Sequence, residues 1–148
     1  HDGDTLRAVD SNGRQMKVRL AYIDAPEINQ AFGIASRDEL RREVLDQMVM
    51  LTLYGHDQYH RWVAKVQRQG RDINLSQIKT GDAWHYVSIA KLEQSFEDYT
   101  TYEQAQSVAR QARKGLWQQR DPQARWLFRK SERAEKQNAN QIDGFSIN

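Results

Sequence analysis

The 148-residue sequence contains no cysteine and only two prolines. Without cysteine, the chain cannot be a disulfide scaffold, bind zinc through thiolates or use a thiol as a nucleophile. No apolar run approaches the roughly 20 residues that a membrane-spanning helix needs, so we expect no membrane insertion. With four Trp, six Tyr and 39% apolar residues, the composition differs from that of a disordered chain and predicts one domain with a real core.

Charge is unevenly distributed, although the formal net charge is only +2. Residues 1–107 are slightly acidic, whereas residues 110–136 contain nine basic and three acidic side chains. A basic segment can attract nucleic acid, and the alternative is a helix face whose charges are simply solvated. For residues 125–130, which mix basic and aromatic side chains, we expect the aromatics to pack on the domain and the charges to stay in water.

The first half of the chain has the patterns of β-strands. Residues 5–9 and the alternating residues 14–23 flank an Asn12-Gly13 turn, which predicts a hairpin. Ser36 and Glu39 have the spacing of a capping box, so we expect a helix to begin there. Further strands are predicted at the ranges 50–54, 61–68 and 71–73.

The second half has the patterns of helices. We predict a short helix over residues 74–80, ended by Gly81, and a longer helix that begins at a capping box formed by Thr100 and Glu103. Residues 131–148 are polar and are expected to form a loosely ordered tail. Early strands followed by helices predict an α+β domain built on a small antiparallel barrel.

Two acidic clusters flank the predicted hairpin. Asp2 and Asp4 precede its first strand, and Asp24 and Glu27 follow its second, so all four lie at the open end. Close carboxylates repel one another unless a cation or a proton lies between them. Oxygen ligands favour a hard cation, either Ca²⁺ or Mg²⁺. The alternative is that the first cluster is only a turn and the second only caps a loop.

Two arginines add a possible phosphate site to these carboxylates. A metal ion and guanidinium groups at Arg19 and Arg61 would stabilise charge on phosphorus, and a carboxylate would position or deprotonate water. Arg19 precedes Asp24 by five residues, an odd spacing that places them on opposite faces of an ideal strand. A bulge or a twist would be needed to bring them together. Otherwise, each arginine is an ordinary surface residue.

Several segments, read in order, resemble one known family. They are Asp2-Gly3-Asp4-Thr5, Val18-Arg19-Leu20, Ile23-Asp24-Ala25-Pro26-Glu27, Tyr59-His60-Arg61, Thr80-Gly81-Asp82-Ala83-Trp84 and Ala112-Arg113-Lys114-Gly115-Leu116-Trp117. Together they resemble the thermonuclease family, of the staphylococcal nuclease type, over residues 1–130. The resemblance implies an OB-type five-stranded antiparallel β-barrel with three α-helices.

The family resemblance also implies an activity and its setting. It implies a Ca²⁺-dependent phosphodiesterase that hydrolyses DNA and RNA in single-stranded or locally opened form. It further implies a monomer that is secreted or periplasmic and does not act on a membrane. The alternative is a catalytically silent OB-fold module that binds nucleic acid or protein.

Site roles follow from the resemblance position by position. Metal ligands would be the carboxylates of Asp4 and Asp24 and the backbone carbonyl of Ala25. Glu27 would act on the attacking water, and Arg19 and Arg61 would stabilise the transition state. Substrate contacts would come from Tyr59 and from Tyr86, the tyrosine nearest to the family's second substrate-contacting position.

The sequence departs from the family pattern in two places. Gln58 stands where the best-known member has a lysine before its tyrosine, which puts one contact to a terminal phosphate in doubt. The family's first barrel strand precedes the Asp-Gly-Asp-Thr segment, where only His1 and Asp2 remain. The first strand is therefore expected to be missing or truncated, which would leave an open edge unless residues 141–148 fill it.

Overall fold

The computed structural model describes residues 2–123 and 125–143. Its strands are β1 (Thr5–Val9), β2 (Gln15–Leu20), β3 (Ile23–Asp24), β4 (Met50–His56), β5 (Trp62–Arg68), β6 (Arg71–Asp72) and β7 (Trp84–His85). Its α-helices are α1 (Gly33–Val44), α2 (Ile73–Lys79), α3 (Val87–Glu93), α4 (Phe96–Gln111) and α5 (Arg125–Asp143), and a 3₁₀ turn spans Gly115–Gln118. The α+β prediction is confirmed.

The main sheet has the order β1-β2-β5-β4, with β6 paired to β5. The β1–β2 and β4–β5 pairs are antiparallel, whereas β2 and β5 are parallel. The sheet is therefore mixed. Within the described residues, β1 and β4 lie at the two ends of this strand order, so the sheet does not close. The expected five-stranded antiparallel barrel with three helices is not confirmed, because the sheet contains a parallel pair and the described residues form five α-helices, whereas the expected open edge is present. A parallel pair requires a long crossover between its strands, and local sequence pattern does not report such pairing.

An apolar cavity of about 650 Å³ lies between the two open edges of the sheet. Leu6 and Met16 line it from the hairpin, Leu40 and Val44 from α1, and Leu51 from β4. Residues 141–143 belong to α5 rather than to a strand in this gap, and residues 144–148 lie outside the described residues. The edges of the sheet thus stay open in the part of the chain that the structure describes.

The hydrophobic core lies between the sheet and helices α1, α2 and α4. Its buried members are Val18, Leu20, Ile23, Ala25, Leu40, Ala64, Val66, Ile73, Ile78, Ala83 and Tyr102. Asn74 is fully buried within it and donates to the carbonyls of Ala21 and Ala64. It also accepts from the Val66 amide, so a single side chain ties α2 to β5 and to the turn after β2.

Both predicted capping boxes are wrong. Helix α1 begins at Gly33, and the Ser36 hydroxyl inside it donates to the Asp82 carbonyl at 2.6 Å. Helix α4 begins at Phe96, where Ser95 caps it by accepting from the Asp98 amide. In α1, Ser36 makes a tertiary contact instead of a cap. In α4, the cap is Ser95, which precedes the predicted Thr100. The short helix ended by Gly81 is confirmed as α2.

The C-terminal part differs from the predicted polar tail. Helix α5 runs from Arg125 through Asp143, across most of the range 131–148. The side chains of α5 that the structure describes are mostly exposed, as the polar sequence implies. None of the helices in the described residues is both long enough and apolar enough to cross a membrane.

Candidate active site

The open end of the β1–β2 hairpin carries the first acidic cluster. Thr5 pairs with Arg19, and the Leu20 amide donates to the Asp4 carbonyl at 2.8 Å. The buried Asp4 carboxylate accepts from the Ala25 amide, also at 2.8 Å, and from the Thr5 hydroxyl. The hairpin therefore brings the segment after β2 directly against the segment before β1, as the turn position predicted.

A reversal of the chain at Tyr22 brings Arg19 and Asp24 together. Tyr22 has a left-handed backbone with φ of 65°, between the end of β2 and the start of β3. Arg19 Nη2 consequently lies 3.3 Å from Asp24 Oδ1, and its Nη1 lies 3.4 Å from Asp4 Oδ2. Because the strand is interrupted at Tyr22, the odd spacing does not separate the two side chains.

The two buried carboxylates differ in their pKa. Burial raises the pKa of Asp24, the adjacent Asp4 carboxylate raises it further, and together they bring it to about 7. Burial also opposes ionisation of Asp4, but the charges of Arg19 and Arg125 and the Ala25 amide outweigh it, so its pKa is lowered. Asp4 is therefore the ionised member of the pair near neutral pH, whereas Asp24 is poised to titrate.

Arg125 of helix α5 lies among these carboxylates. Its Nη1 is 2.7 Å from Asp4 Oδ2 and 3.5 Å from Asp24 Oδ1. Its Nε donates to Glu27 at 2.9 Å, and its Nη2 donates to Asp2. The expectation that the charges of residues 125–130 stay in water is wrong for Arg125, because four carboxylates compensate its burial.

Glu27 lies at the rim of this cluster and is half-buried. It accepts hydrogen bonds from Arg125 and from the exposed Arg129. Burial favours its neutral form, but these hydrogen bonds and charges outweigh burial and lower its pKa. Glu27 is thus a carboxylate at neutral pH, held at the border between the buried pair and solvent.

Arg61 and Tyr59 lie next to each other, and Arg61 is held by Asp57 rather than by the carboxylates around Arg125. Asp57 accepts from both the Nε and the backbone amide of Arg61, at 2.7 and 3.0 Å. The Arg61 guanidinium lies over the Tyr59 ring, 5.3 Å from its centroid. Both residues line a polar groove whose other side is formed by α5, including Arg129. Arg129 therefore links this groove to Glu27.

Tyr86 and Ala25 lie on the segments that follow the paired strands β7 and β3. Tyr86 precedes α3, and its amide donates to the Tyr22 carbonyl at 2.8 Å. Pairing of β3 with β7 places Asp24 opposite Trp84, two residues before Tyr86. Ala25 is buried and supplies its amide to Asp4. The metal-ligand role of its carbonyl and the substrate role of Tyr86 stay predictions.

The residues that sequence reasoning missed are Arg125 and Arg129. The signals for them were the charge imbalance between the acidic residues 1–107 and the basic residues 110–136, and the basic and aromatic side chains of residues 125–130, whose charges we expected to stay in water. In the described part of the chain, no three His, Asp or Glu side chains already form a group that could hold a metal ion. The carboxylates instead surround the Arg125 guanidinium.

The staphylococcal nuclease homologue family model matches residues 17–119, more than half of the chain. The chain belongs to the staphylococcal nuclease family. Similarity to individual members of this nuclease family extends over more of the chain. An uncharacterized endonuclease of Haemophilus influenzae is 40% identical over 121 residues, which are 82% of this chain and 64% of that protein.

Two further relatives show how widely the nuclease family match extends. An uncharacterized endonuclease of Escherichia coli is 33% identical over 132 residues, covering 86% of this chain and 79% of that protein. A staphylococcal-like nuclease of Arabidopsis thaliana is 31% identical over 120 residues, covering 81% of this chain but 35% of the plant protein. The chain thus spans under two thirds of the Haemophilus relative and about a third of the plant relative.

Proposed function

We propose that this chain is a Ca²⁺-dependent phosphodiesterase that hydrolyses DNA and RNA. One observation carries the proposal: the Asp4, Asp24 and Glu27 carboxylates converge with Arg19 at one end of the hairpin. Carboxylates for a metal and for water, beside a guanidinium for phosphate, are the parts that phosphodiester hydrolysis requires. Relatives named endonuclease and nuclease support the same reaction class.

The chemistry of the oxygen donors fits a hard divalent cation. Oxygens of Asp4 and Asp24 already lie within 3.5 Å of a single cationic nitrogen, Arg125 Nη1. Asp4 and Asp24 would hold Ca²⁺, with the Ala25 carbonyl as a further ligand. When bound, the cation would stabilise negative charge that develops on the phosphate oxygens.

Glu27 is proposed to act on the attacking water. Its pKa is lowered despite partial burial, so it is ionised and able to accept a proton or a hydrogen bond from water. It lies at the rim of the cluster, where solvent can reach it, unlike the fully buried Asp4. This division assigns the buried carboxylates to the cation and the rim carboxylate to the nucleophile.

The two arginines are proposed to hold the phosphate. Arg19 donates to Asp24 and to the Leu20 carbonyl, which fixes its guanidinium beside the carboxylate pair. Arg61 is fixed by Asp57 and faces the groove with Tyr59. A planar guanidinium matches the oxygens of a phosphodiester in a way that an ammonium does not. Tyr59 and Tyr86 are the proposed contacts for the rest of the nucleotide.

The competing function is a catalytically silent binding module. The resemblance gives a role to five polar residues, which are Asp4, Arg19, Asp24, Glu27 and Arg61. All five are present, and this favours the enzyme because a silent module has no use for the complete set. We further propose that residues 1–130 form the nuclease-like unit. Action as a monomer on single-stranded or locally opened nucleic acid, in a secreted or periplasmic setting, is proposed from the family resemblance.

The test is digestion of single-stranded DNA, duplex DNA and RNA with Ca²⁺ and with a chelator. We expect cleavage with Ca²⁺, none in excess chelator, and recovery when Ca²⁺ is restored. An Asp4→Asn variant that remains folded by circular dichroism should be inactive under all three conditions. Binding of the oligonucleotides without cleavage in any metal would instead identify the silent module, and full activity in chelator would reject the Ca²⁺ requirement.

A further inference from the structure

Arg125 contacts the same carboxylate groups, Asp4 and Asp24, that the proposed metal site uses. Its side chain is buried, and its three nitrogens contact four carboxylates from Asp2, Asp4, Asp24 and Glu27. A guanidinium this enclosed neutralises carboxylates that would otherwise repel one another. The contact gives helix α5 a role that the nuclease reaction itself does not require. This role rests on the proposed metal site.

We propose that α5 is an autoinhibitory strap whose Arg125 competes with the divalent cation for Asp4 and Asp24. The guanidinium holds Asp4 Oδ2 and Asp24 Oδ1, which are oxygens of the two carboxylates that would bind the cation. Arg125 Nη1 by itself lies within 3.5 Å of both oxygens, whereas Arg19 reaches them through two separate nitrogens. A cation bound between the two carboxylates would therefore take the position of Arg125 Nη1 and be repelled by its charge. Metal binding therefore requires Arg125 to leave, and α5 moves away with it.

The way in which α5 is attached suits a reversible strap. Among its side chains that the structure describes, only Arg125 is buried, so these described side chains contribute little apolar packing. The other attachments are polar and reach the same loop after β3: Arg129 donates to Glu27, and Asn29 donates to Glu132. Polar contacts of this kind exchange readily for water, so a competing ligand can displace the helix.

The first test measures Ca²⁺ affinity by calorimetry, with no substrate present. Arg125→Gln should bind Ca²⁺ at least ~10-fold more tightly than the parent, because a site open in a tenth of the molecules loses tenfold in apparent affinity. Lys130→Gln removes the same charge from an exposed position of the same helix. It should leave the affinity unchanged within about twofold, which separates competition from a general effect of net charge.

The second test follows the position of the helix without using activity. The chain has no cysteine, so spin labels can be attached at Ser107→Cys on α4 and Gln137→Cys on α5, both exposed positions. Saturating Ca²⁺ should replace one narrow inter-label distance by a longer and broader distribution. Arg125→Gln should show that distribution before Ca²⁺ is added, and Lys130→Gln should not.

The outcomes separate the strap from the nuclease proposal. Equal Ca²⁺ affinity in Arg125→Gln and the parent, or an unchanged label distance at saturating Ca²⁺, would overturn the strap while leaving the nuclease intact. Failure of both proteins to bind Ca²⁺ would overturn the metal site and the strap together. Circular dichroism of each variant checks folding, and Arg125→Lys, which keeps the charge but loses the fork, should give an intermediate affinity.

Discussion

Arg125 Nη1 lies 2.7 Å from Asp4 Oδ2, although the two residues are 121 positions apart in the chain. This contact joins the last helix to the segment before the first strand, at the centre of the proposed active site. It explains how two carboxylates are buried side by side: Arg19 and Arg125 share their charge. Each of these charged side chains balances the others, so a substitution that removes one of them leaves its partners uncompensated.

Glu27→Gln tests the proposed water-activating carboxylate. The change keeps the shape of the side chain and removes its ability to accept a proton. A positioned general base contributes typically about 10²- to 10⁴-fold, so we expect kcat to fall by that factor with little change in KM. Steady-state cleavage of an oligonucleotide measures both. The exposed Glu93→Gln serves as a control and should match the parent, whereas a kcat for Glu27→Gln within about threefold of the parent would reject the role.

Arg19→Lys and Arg61→Lys test the proposed phosphate contacts while the positive charge is kept. Because only guanidinium offers a planar fork, we expect each change to lower kcat/KM by about 10³-fold, the lower end of arginine effects in phosphoryl transfer. The controls are Arg41→Lys, at an exposed position of α1, and Arg113→Lys, at an exposed position just after α4. Both should leave kcat/KM nearly unchanged. If Arg61→Lys behaves like Arg113→Lys in a folded protein, Arg61 is a surface residue that is paired only with Asp57.

Asp82→Asn tests the cost of a buried carboxyl group outside the cluster. Burial raises the pKa of Asp82 to about 6, although the Thr80 hydroxyl donates to it at 2.6 Å. A raised folded-state pKa means that its contribution to stability is present below pH ~4 and is lost as pH rises through 6. We therefore expect Asp82→Asn to raise the free energy of unfolding at pH 8 by about 1–2 kcal/mol, allowing for solvent screening.

The measurement for Asp82 is urea unfolding of the parent and the variant at pH 4, 6 and 8. The difference between the two proteins should grow mainly between pH 4 and pH 6 and be nearly level by pH 8. Asp38→Asn, at an exposed position on α1, is a control that should show no such trend. A difference that is independent of pH would show that Asp82 does not titrate in this range.

Asn74→Ala tests the polar bridge inside the core. The change would remove the hydrogen bonds that Asn74 makes with the Val66 amide and with the Ala21 and Ala64 carbonyls, of which the Ala64 carbonyl still accepts from the Ala21 amide. Each buried group left unsatisfied costs about 1–3 kcal/mol, so we expect a loss of about 2–4 kcal/mol in the free energy of unfolding. Urea unfolding measures it, with the exposed Asn12→Ala as a control expected within about 0.5 kcal/mol of the parent.

A second readout shows whether Asn74 also positions the site. It holds the Ala21 carbonyl, next to the left-handed Tyr22 that places Asp24 beside Arg19. Asn74→Ala should therefore weaken Ca²⁺ binding under conditions in which the variant is still folded. Ca²⁺ affinity equal to that of the parent would restrict Asn74 to a role in stability.

The sequence by itself determined the hairpin, α2 and the position of the acidic clusters. Alternation of side chains, the Asn12-Gly13 turn and the Gly81 stop are local signals, and each acts within a few residues. Once the hairpin forms, Asp4 and Asp24 must meet, because its two strands are joined at the far end. That geometric consequence needs no tertiary information, and for this reason the core of the candidate site could be predicted.

Only the tertiary structure decided which elements complete that site and how the sheet is built. The parallel pairing of β2 with β5 joins strands that are separated by β3, α1 and β4. Helix α1 begins at Gly33, and Ser36 inside it makes a contact to Asp82 instead of a cap. Burial of Arg125 depends on four carboxylates that lie about a hundred residues away. A basic residue on a polar helix has the same local pattern whether water or a carboxylate cluster receives its charge, so sequence pattern alone cannot separate the two cases.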